Sequence, residues 1–385
     1  MVLKLTGRSP WRYLVPRRRH RSALPPSALR EALRSSAESA RPRESSSSAS
    51  RPGCLRDELF CKVSDPVRDG RGKVTVVGAG QVGAACVSSI LLQNIASHVA
   101  MVDAFPKKLE GEGMDCSHAA MLLRDPRIEY DTDFCVSSNS RVVIVASGAR
   151  QKRGQSRMDL VRLNVDIVKN IVPPLVEYSP NAVFVIVSNP VDILSWVTWK
   201  VSGLPVNRVI GSGTHLDTAR FRFLIAERLC VAPSAVHGYV IGEHGDSQVP
   251  VWSGVNVAGI QFRDILPNIG LETDEEKWNE IHKDVIRAGA TVRCLKGSSS
   301  FAVSVCVADI TRAILRDSQA VKTVSTMIQG HHDVCHETFL SLPCVIGENG
   351  VTKVIRMRIT EHEKKLFQTS ADAVFNVQKG VKTKS

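Results

Sequence analysis

An α/β fold built on a doubly wound parallel sheet is what this sequence predicts, and three observations predict it. Apolar runs of strand length alternate with helical stretches from residue 73 onward. The first run feeds straight into a glycine-rich turn that opens a helix. The second run ends in a lone acid. Runs that are apolar on both faces and separated by helices belong to parallel sheets covered on both sides.

Lys73 to Val77 (KVTVV) reads as a buried strand. It passes into Gly78-Ala79-Gly80-Gln81-Val82-Gly83, a G-x-G-x-x-G, and Ala84 to Ala96 then has helical periodicity. Val99 to Val102 is a second strand, ending at Asp103, twenty residues after the last glycine. A G-x-G-x-x-G alone is weak, but a strand before it, a helix after it and an acid at this distance make a dinucleotide-binding signature. Gly78, Gly80 and Gly83 would let a pyrophosphate approach the helix N-terminus, whose dipole and free N–H groups favour an anion. Asp103 can accept hydrogen bonds from an adenosine ribose and would repel a 2′-phosphate, so NAD is expected over NADP.

Arg141 to Ala146 (RVVIVA) and Ala182 to Val187 (AVFVIV) continue the sheet. Between them lie a polar loop, Gln151 to Arg157 (QKRGQSR), and a helix, Met158 to Ile171, ahead of Pro173-Pro174. Ligands of such sheets bind beyond the carboxyl ends of the strands, where Gly80, Asp103, Arg150 and Asn189 fall. Gly211-Ser212-Gly213-Thr214 marks a transition. Beyond it come helix Asp217 to Leu229, helical segment Thr273 to Lys296 and helix Phe301 to Leu315. Strands Ser341 to Val345 and Val354 to Ile359 and a terminal amphipathic helix, Glu361 to Lys379, complete the chain. The expected organisation is a disordered basic leader at 1–53, a short helical arm at 54–72, a dinucleotide-binding domain at 73–213 and a second domain at 214–385.

Ile241 to Gly254 (IGEHGDSQVPVWSG) follows a valine-rich strand candidate, Val236 to Ile241. It sets His244 between two glycines, Gly242 and Gly245, and two carboxylates. Histidine is the usual proton carrier near neutral pH. Taken alone, His244 reads more readily as a structural residue of a turn. Partners elsewhere in the chain have to decide.

Composition bounds the rest. The 385 residues are 43% hydrophobic and 23% charged, values of a globular protein. No apolar run reaches the roughly 18 residues of a membrane span. The net charge of +12 is concentrated at the N-terminus, where residues 1–70 hold fifteen Lys/Arg against seven Asp/Glu. The body is nearly balanced, so its charge says little about its partners and a nucleic-acid role would have to live in the leader; neither a nucleic-acid nor a membrane partner is expected. The leader's first thirty residues contain no acid and are rich in Arg, Ser and Pro, the composition of a mitochondrial transit peptide or of a plain disordered tail. The chain is thus expected in the cytoplasm or the mitochondrion. Ten cysteines occur singly with no C-x-x-C, which fits free thiols. His331, His332, Cys335 and His336 could suggest a metal site, but a solvated loop is the plainer reading and no metal is expected.

Six stretches carry a resemblance: GAGQVG, SGARQ, SNPVDIL, GSGTHLDTARFRFLIAERL, GEHGDSQVPVWSGVNVAG and FLSLPCVIGENG. Together they resemble the L-lactate dehydrogenase branch of the lactate/malate dehydrogenase family over about residues 54–385. The resemblance implies a Rossmann domain followed by an α+β substrate domain, assembled as a homotetramer, with pyruvate and L-lactate as substrates. It implies that His244 exchanges the proton, that Asp217 holds it and that Arg157 polarises the carbonyl from a closing loop. Arg220 would grip the substrate carboxylate, Asn189 would touch substrate and nicotinamide, and Arg150 would contact the cofactor. Gln151 stands where glutamine goes with monocarboxylates and arginine with dicarboxylates, with Lys152-Arg153 beside it. Separately these residues read as surface salt bridges, a helix cap and an Asx-turn.

The chain departs from the family along Ala288 to Leu295 and the following turn. Ser299 replaces a substrate-contacting threonine, Ser298 a tyrosine and Phe301 a tryptophan. Arg293 stands where the family has an isoleucine packed near the nicotinamide ring, which implies a buried, unpaired cation that disfavours NAD⁺ relative to NADH. Two alternatives therefore stay open: a dehydrogenase of another 2-oxo acid, such as oxaloacetate, and a weakened homologue with a binding role.

Overall fold

The computed structural model describes residues 55, 59–64, 72–149 and 157–381, without the side chain of Arg157. The leader and most of the arm lie outside them. The arm's described part is helical at Leu55 and Leu59, as expected, and then becomes a strand that was not: β1 (Phe60–Lys62) pairs antiparallel with residues 353–355. Its pairing at the sheet edge is long-range, so no local periodicity announces it.

The elements then follow in order: β2 (Lys73–Val77), α1 (Gln81–Leu92), β3 (His98–Val102), α2 (Pro106–Ala119), β4 (Arg127–Asp131) and β5 (Ser140–Val145). Next come α3 (Arg157–Tyr178), β6 (Val183–Ile186), α4 (Val191–Ser202) and β7 (Val209–Gly211). β2, β3, β5 and β6 bury Val, Ile, Phe and Met side chains on both faces, as their continuous apolar runs predict. α3 does not stop before Pro173 and Pro174 but runs through them. Val172 and Leu175, at the proline pair, are fully buried, and that packing offsets the lost backbone bonds.

The second half contains α5 (His215–Leu229), β8 (Val236–His237), β9 (Val240–Ile241), β10 (Val249–Pro250), β11 (Asn256–Val257), β12 (Ile260–Gln261) and α6 (Phe262–Ile265). It continues with α7 (Asn279–Lys296), α8 (Ser300–Leu315), β13 (Ala320–Met327), β14 (Phe339–Gly347), β15 (Gly350–Ile355) and α9 (Glu361–Lys379). Three expectations shift. α7 begins at Asn279, because Asp274 spends its carboxylate on the N–H groups of Gly270, Glu276 and Trp278 in a turn. The strand expected over 354–359 is β15, which turns back on β14 through Gly350 at φ +91°. β13 goes unnoticed in the sequence because it buries polar Thr323, Ser325 and Thr326.

Ten of the described strands form one sheet in the order β1-β15-β14-β13-β7-β6-β5-β2-β3-β4. From β7 to β4 every pairing is parallel, and from β13 to β1 antiparallel. The strand order reverses between β2 and β5, the place where such sheets bind ligands. A separate core of Phe221, Ile225, Trp252, Trp278, Ile281 and Val285 locks α5 against α7. Phe221 and Trp252 meet edge to face at 4.8 Å. This small core holds the two helices that carry the candidate site.

Candidate active site

Three carboxylates and one loop build the centre of the site. Ile241 ends β9, and Gly242, at φ +88°, turns the chain out of the strand. The turn is pinned by paired backbone bonds of 2.9 Å between Gly242 and Ser341. Glu243 N–H donates to Ser370 Oγ at 2.9 Å, and the Ser247 hydroxyl donates to Glu243 Oε2. His244 therefore sits on a loop fixed on both sides, with its side chain 29% exposed. Its backbone N–H donates to Asp192 Oδ2 at 2.8 Å, and its Nδ1 meets Asp217 Oδ2 at 2.5 Å.

Asp217 lies in the first turn of α5, with 3% of its side chain exposed. Its other oxygen accepts from Arg220 Nη1 at 3.0 Å, one helical turn on. Burial pushes the Asp217 carboxyl up, but the His244 and Arg220 cations together outweigh it and hold it below its ordinary value. The Asp217 carboxylate in turn raises His244, against burial, to about 9. Burial lowers His98, His331 and His332 and brings His282 down to about 4. The environment of His244 is opposite in sign. The turn-histidine reading gives way to that of an imidazolium with Nδ1 held and Nε2 left for another partner.

Asp192 was not singled out by the sequence. It lies buried in the first turn of α4, just after the SNP segment, and its second oxygen accepts from Ser325 Oγ at 2.6 Å. Burial pushes it up to about 7, against those hydrogen bonds. An acid among the apolar residues of VDILSWV was the available signal. Asn164 was also missed. Buried on α3, it accepts from Ala149 N–H at 2.7 Å and donates to Asn189 O at 2.8 Å, tying together the loops after β5 and β6.

The other expected residues divide. Asn189 stands exposed at the carboxyl end of β6. Ser299 immediately precedes α8, where Ser298 Oγ accepts from Ser300 N–H at 3.1 Å and leaves Ser299 without a partner among the described residues. Arg150, Gln151, Lys152 and Arg153 lie outside the described residues, as does the side chain of Arg157. Arg293 is exposed on α7. His332 and His336 pack on α9 rather than project into solvent: His332 meets Phe367 at 5.4 Å and His336 stacks on Phe375 at 4.3 Å, while His331 is half-buried.

The dinucleotide loop fits its group. Gly78 adopts φ +103°, and a Cβ on Gly83 would lie 1.7 Å from Gly78 O. Nothing lies within 4 Å of the Cβ position of Gly80, so a ligand can approach the backbone there. The N-terminus of α1 carries no side-chain cap. Asp103 is anchored by the N–H groups of Ala79 at 2.5 Å and Phe105 at 2.9 Å, which aim it at the glycine loop. We expect Gly83→Ala to lower NADH affinity at least tenfold and to reduce the thermal midpoint, since the clash is with backbone. Fluorescence titration and calorimetry check both.

Residues 72–211 match the lactate/malate dehydrogenase NAD-binding domain, and residues 214–384 match the α/β C-terminal domain of the same enzymes. The chain belongs to the lactate/malate dehydrogenase family. Within it, the chain is 48% identical over 319 residues to the L-lactate dehydrogenase B-B chain of Danio rerio, covering 83% of this chain and 96% of that one. It is 47% identical to the L-lactate dehydrogenase B chains of Sceloporus woodi and Squalus acanthias, covering 85% of this chain and 98% of each relative. The family's fold, a Rossmann domain joined to a C-terminal α/β domain, is the one described above. Among the described residues, no helix is long and apolar enough to cross a membrane.

Proposed function

We propose that the chain is an NAD-dependent L-lactate dehydrogenase, and that His244, Asp217 and Arg220 carry the reaction with pyruvate. The observation that carries this reading is the shared carboxylate of Asp217, which fixes an imidazole on one oxygen and a guanidinium on the other. Bound NADH supplies the hydride, with Gly78, Gly80, Gly83, Asp103, Arg150 and Asn189 holding the dinucleotide. With Nδ1 held by Asp217, the His244 proton that moves is on Nε2. It goes to the keto oxygen of pyruvate, and in reverse neutral Nε2 takes the hydroxyl proton of L-lactate. Arg220 keeps Nη2 for the substrate carboxylate, where a planar fork places two parallel bonds. From the resemblance, Arg157 polarises the carbonyl, Gln151 favours a monocarboxylate and Ser299 supplies a hydroxyl contact.

Other parts of the reading follow the same lines. The change from parallel to antiparallel pairing after Gly211 supports a boundary between a Rossmann domain at 73–213 and a substrate domain at 214–385. Exposed Ile260, Ile265, Met121 and Leu122 support assembly, read as a homotetramer, which sedimentation checks. The acid-free start of the leader supports mitochondrial delivery and the balanced body a cytoplasmic home; fractionation distinguishes them. The test of function is NADH oxidation at 340 nm with pyruvate. Turnover on the order of 10–1,000 per second is expected, and NADH binding without turnover would leave only the binding role.

A further inference from the structure

One cation of the site has no place in the reaction just described. Arg293 lies on α7, one helical turn after Gly289, so the two share a face of that helix. A Cβ on Gly289 would lie 3.7 Å from Arg293 Nη1 and 3.9 Å from both Nη1 and Nη2 of Arg220. Both guanidinium groups therefore border the same small space, kept open because residue 289 has no side chain. Arg220 is held by Asp217, whereas Arg293 is exposed and has no hydrogen-bond or ion-pair partner among the described residues.

The charges do not balance. His244 and Arg220 already share the Asp217 carboxylate, and Arg293 adds a third cation beside Arg220 across the Gly289 position. The other buried carboxylate, Asp192, is spent on the His244 backbone N–H and the Ser325 hydroxyl. A substrate with one carboxylate satisfies Arg220 and leaves Arg293 unmatched. A second anionic group would meet an unpaired fork at hydrogen-bond range.

We propose that Arg293 is a specificity-determining residue that lets this site accept 2-oxo acids ending in a second carboxylate, Arg220 taking one carboxylate and Arg293 the other. The inference rests on the reading of Arg220 as the clamp of a 2-oxo acid reductase. The reaction is otherwise unchanged: hydride from NADH to the keto carbon, proton from His244 to its oxygen. Lys152-Arg153, beside Gln151, is a separate source of positive charge on a different segment, and a variant at 293 separates the two.

The experiment compares wild type, Arg293→Met and Arg293→Lys at low salt, each with pyruvate, oxaloacetate and 2-oxoglutarate. The measured quantity is the ratio of kcat/KM for the better dicarboxylate to that for pyruvate. Arg293→Met lowers this ratio about tenfold, chiefly through KM for the dicarboxylate, and 0.5 M salt shrinks the difference. Arg293→Lys restores more than half of the ratio, which a merely structural role for Arg293 does not predict. Pyruvate turnover with a ratio that Arg293→Met leaves within twofold of wild type overturns the inference alone. Turnover of none of the three substrates by any of the proteins overturns the functional reading and the inference with it.

Discussion

Replacing His244 with asparagine lowers kcat/KM for pyruvate reduction by about 10³-fold, roughly 4 kcal/mol of transition-state stabilisation. Asparagine keeps a donor that can face Asp217 and the backbone N–H that donates to Asp192, so the loop holds its shape. What it lacks is a proton that can leave. The size of the effect follows from the environment. The Asp217 carboxylate keeps the imidazole charged at neutral pH, with His244 raised to about 9, so the proton is in place before the keto oxygen arrives. NADH affinity, measured by fluorescence titration, stays within about threefold, because the glycine loop and Asp103 lie on the other half of the sheet. A loss shared equally by NADH binding would mean that the variant has misfolded.

Arg220→Lys lowers kcat/KM for pyruvate by about 10²-fold, the loss of one to two charge-assisted hydrogen bonds. The positive charge remains, so attraction alone is tested and found insufficient. Lysine offers a point charge on a flexible stem. It cannot both satisfy Asp217 Oδ1, now served by Arg220 Nη1 at 3.0 Å, and pair two oxygens of a substrate. The loss falls largely on KM. Steady-state kinetics at constant ionic strength measure it, and a KM within twofold of wild type would remove Arg220 from the carboxylate clamp.

The parallel half of the fold was legible because each strand is apolar on both faces and because the G-x-G-x-x-G has one structural use between a strand and a helix. The antiparallel half was less so. β13 buries threonine and serine, whose hydroxyls are satisfied by Thr218 and Asp192 from distant parts of the chain, and a hydropathy pattern cannot register that. α3 crosses Pro173 and Pro174 because buried neighbours on both sides outweigh a local rule. In the site, His244, Asp217 and Arg220 came together as the resemblance implied. Asp192 did not come with them, since its bond to the His244 backbone depends on tertiary folding. Arg293 was expected near the cofactor; in the described chain it is exposed and borders the same space as the Arg220 guanidinium, a neighbourhood that no local pattern announces.

The central claim is that Asp217 sets the protonation of His244. The most direct test is the pH dependence of kcat/KM for pyruvate reduction in wild type and in Asp217→Asn. Reduction needs the imidazolium, so the wild-type rate holds through neutral pH and falls as pH rises through about 9, while L-lactate oxidation rises over the same interval. Without the Asp217 carboxylate, burial and Arg220 lower the histidine against Asp192 alone, and the falling limb moves to lower pH. A limb at the same pH in both proteins would contradict the account.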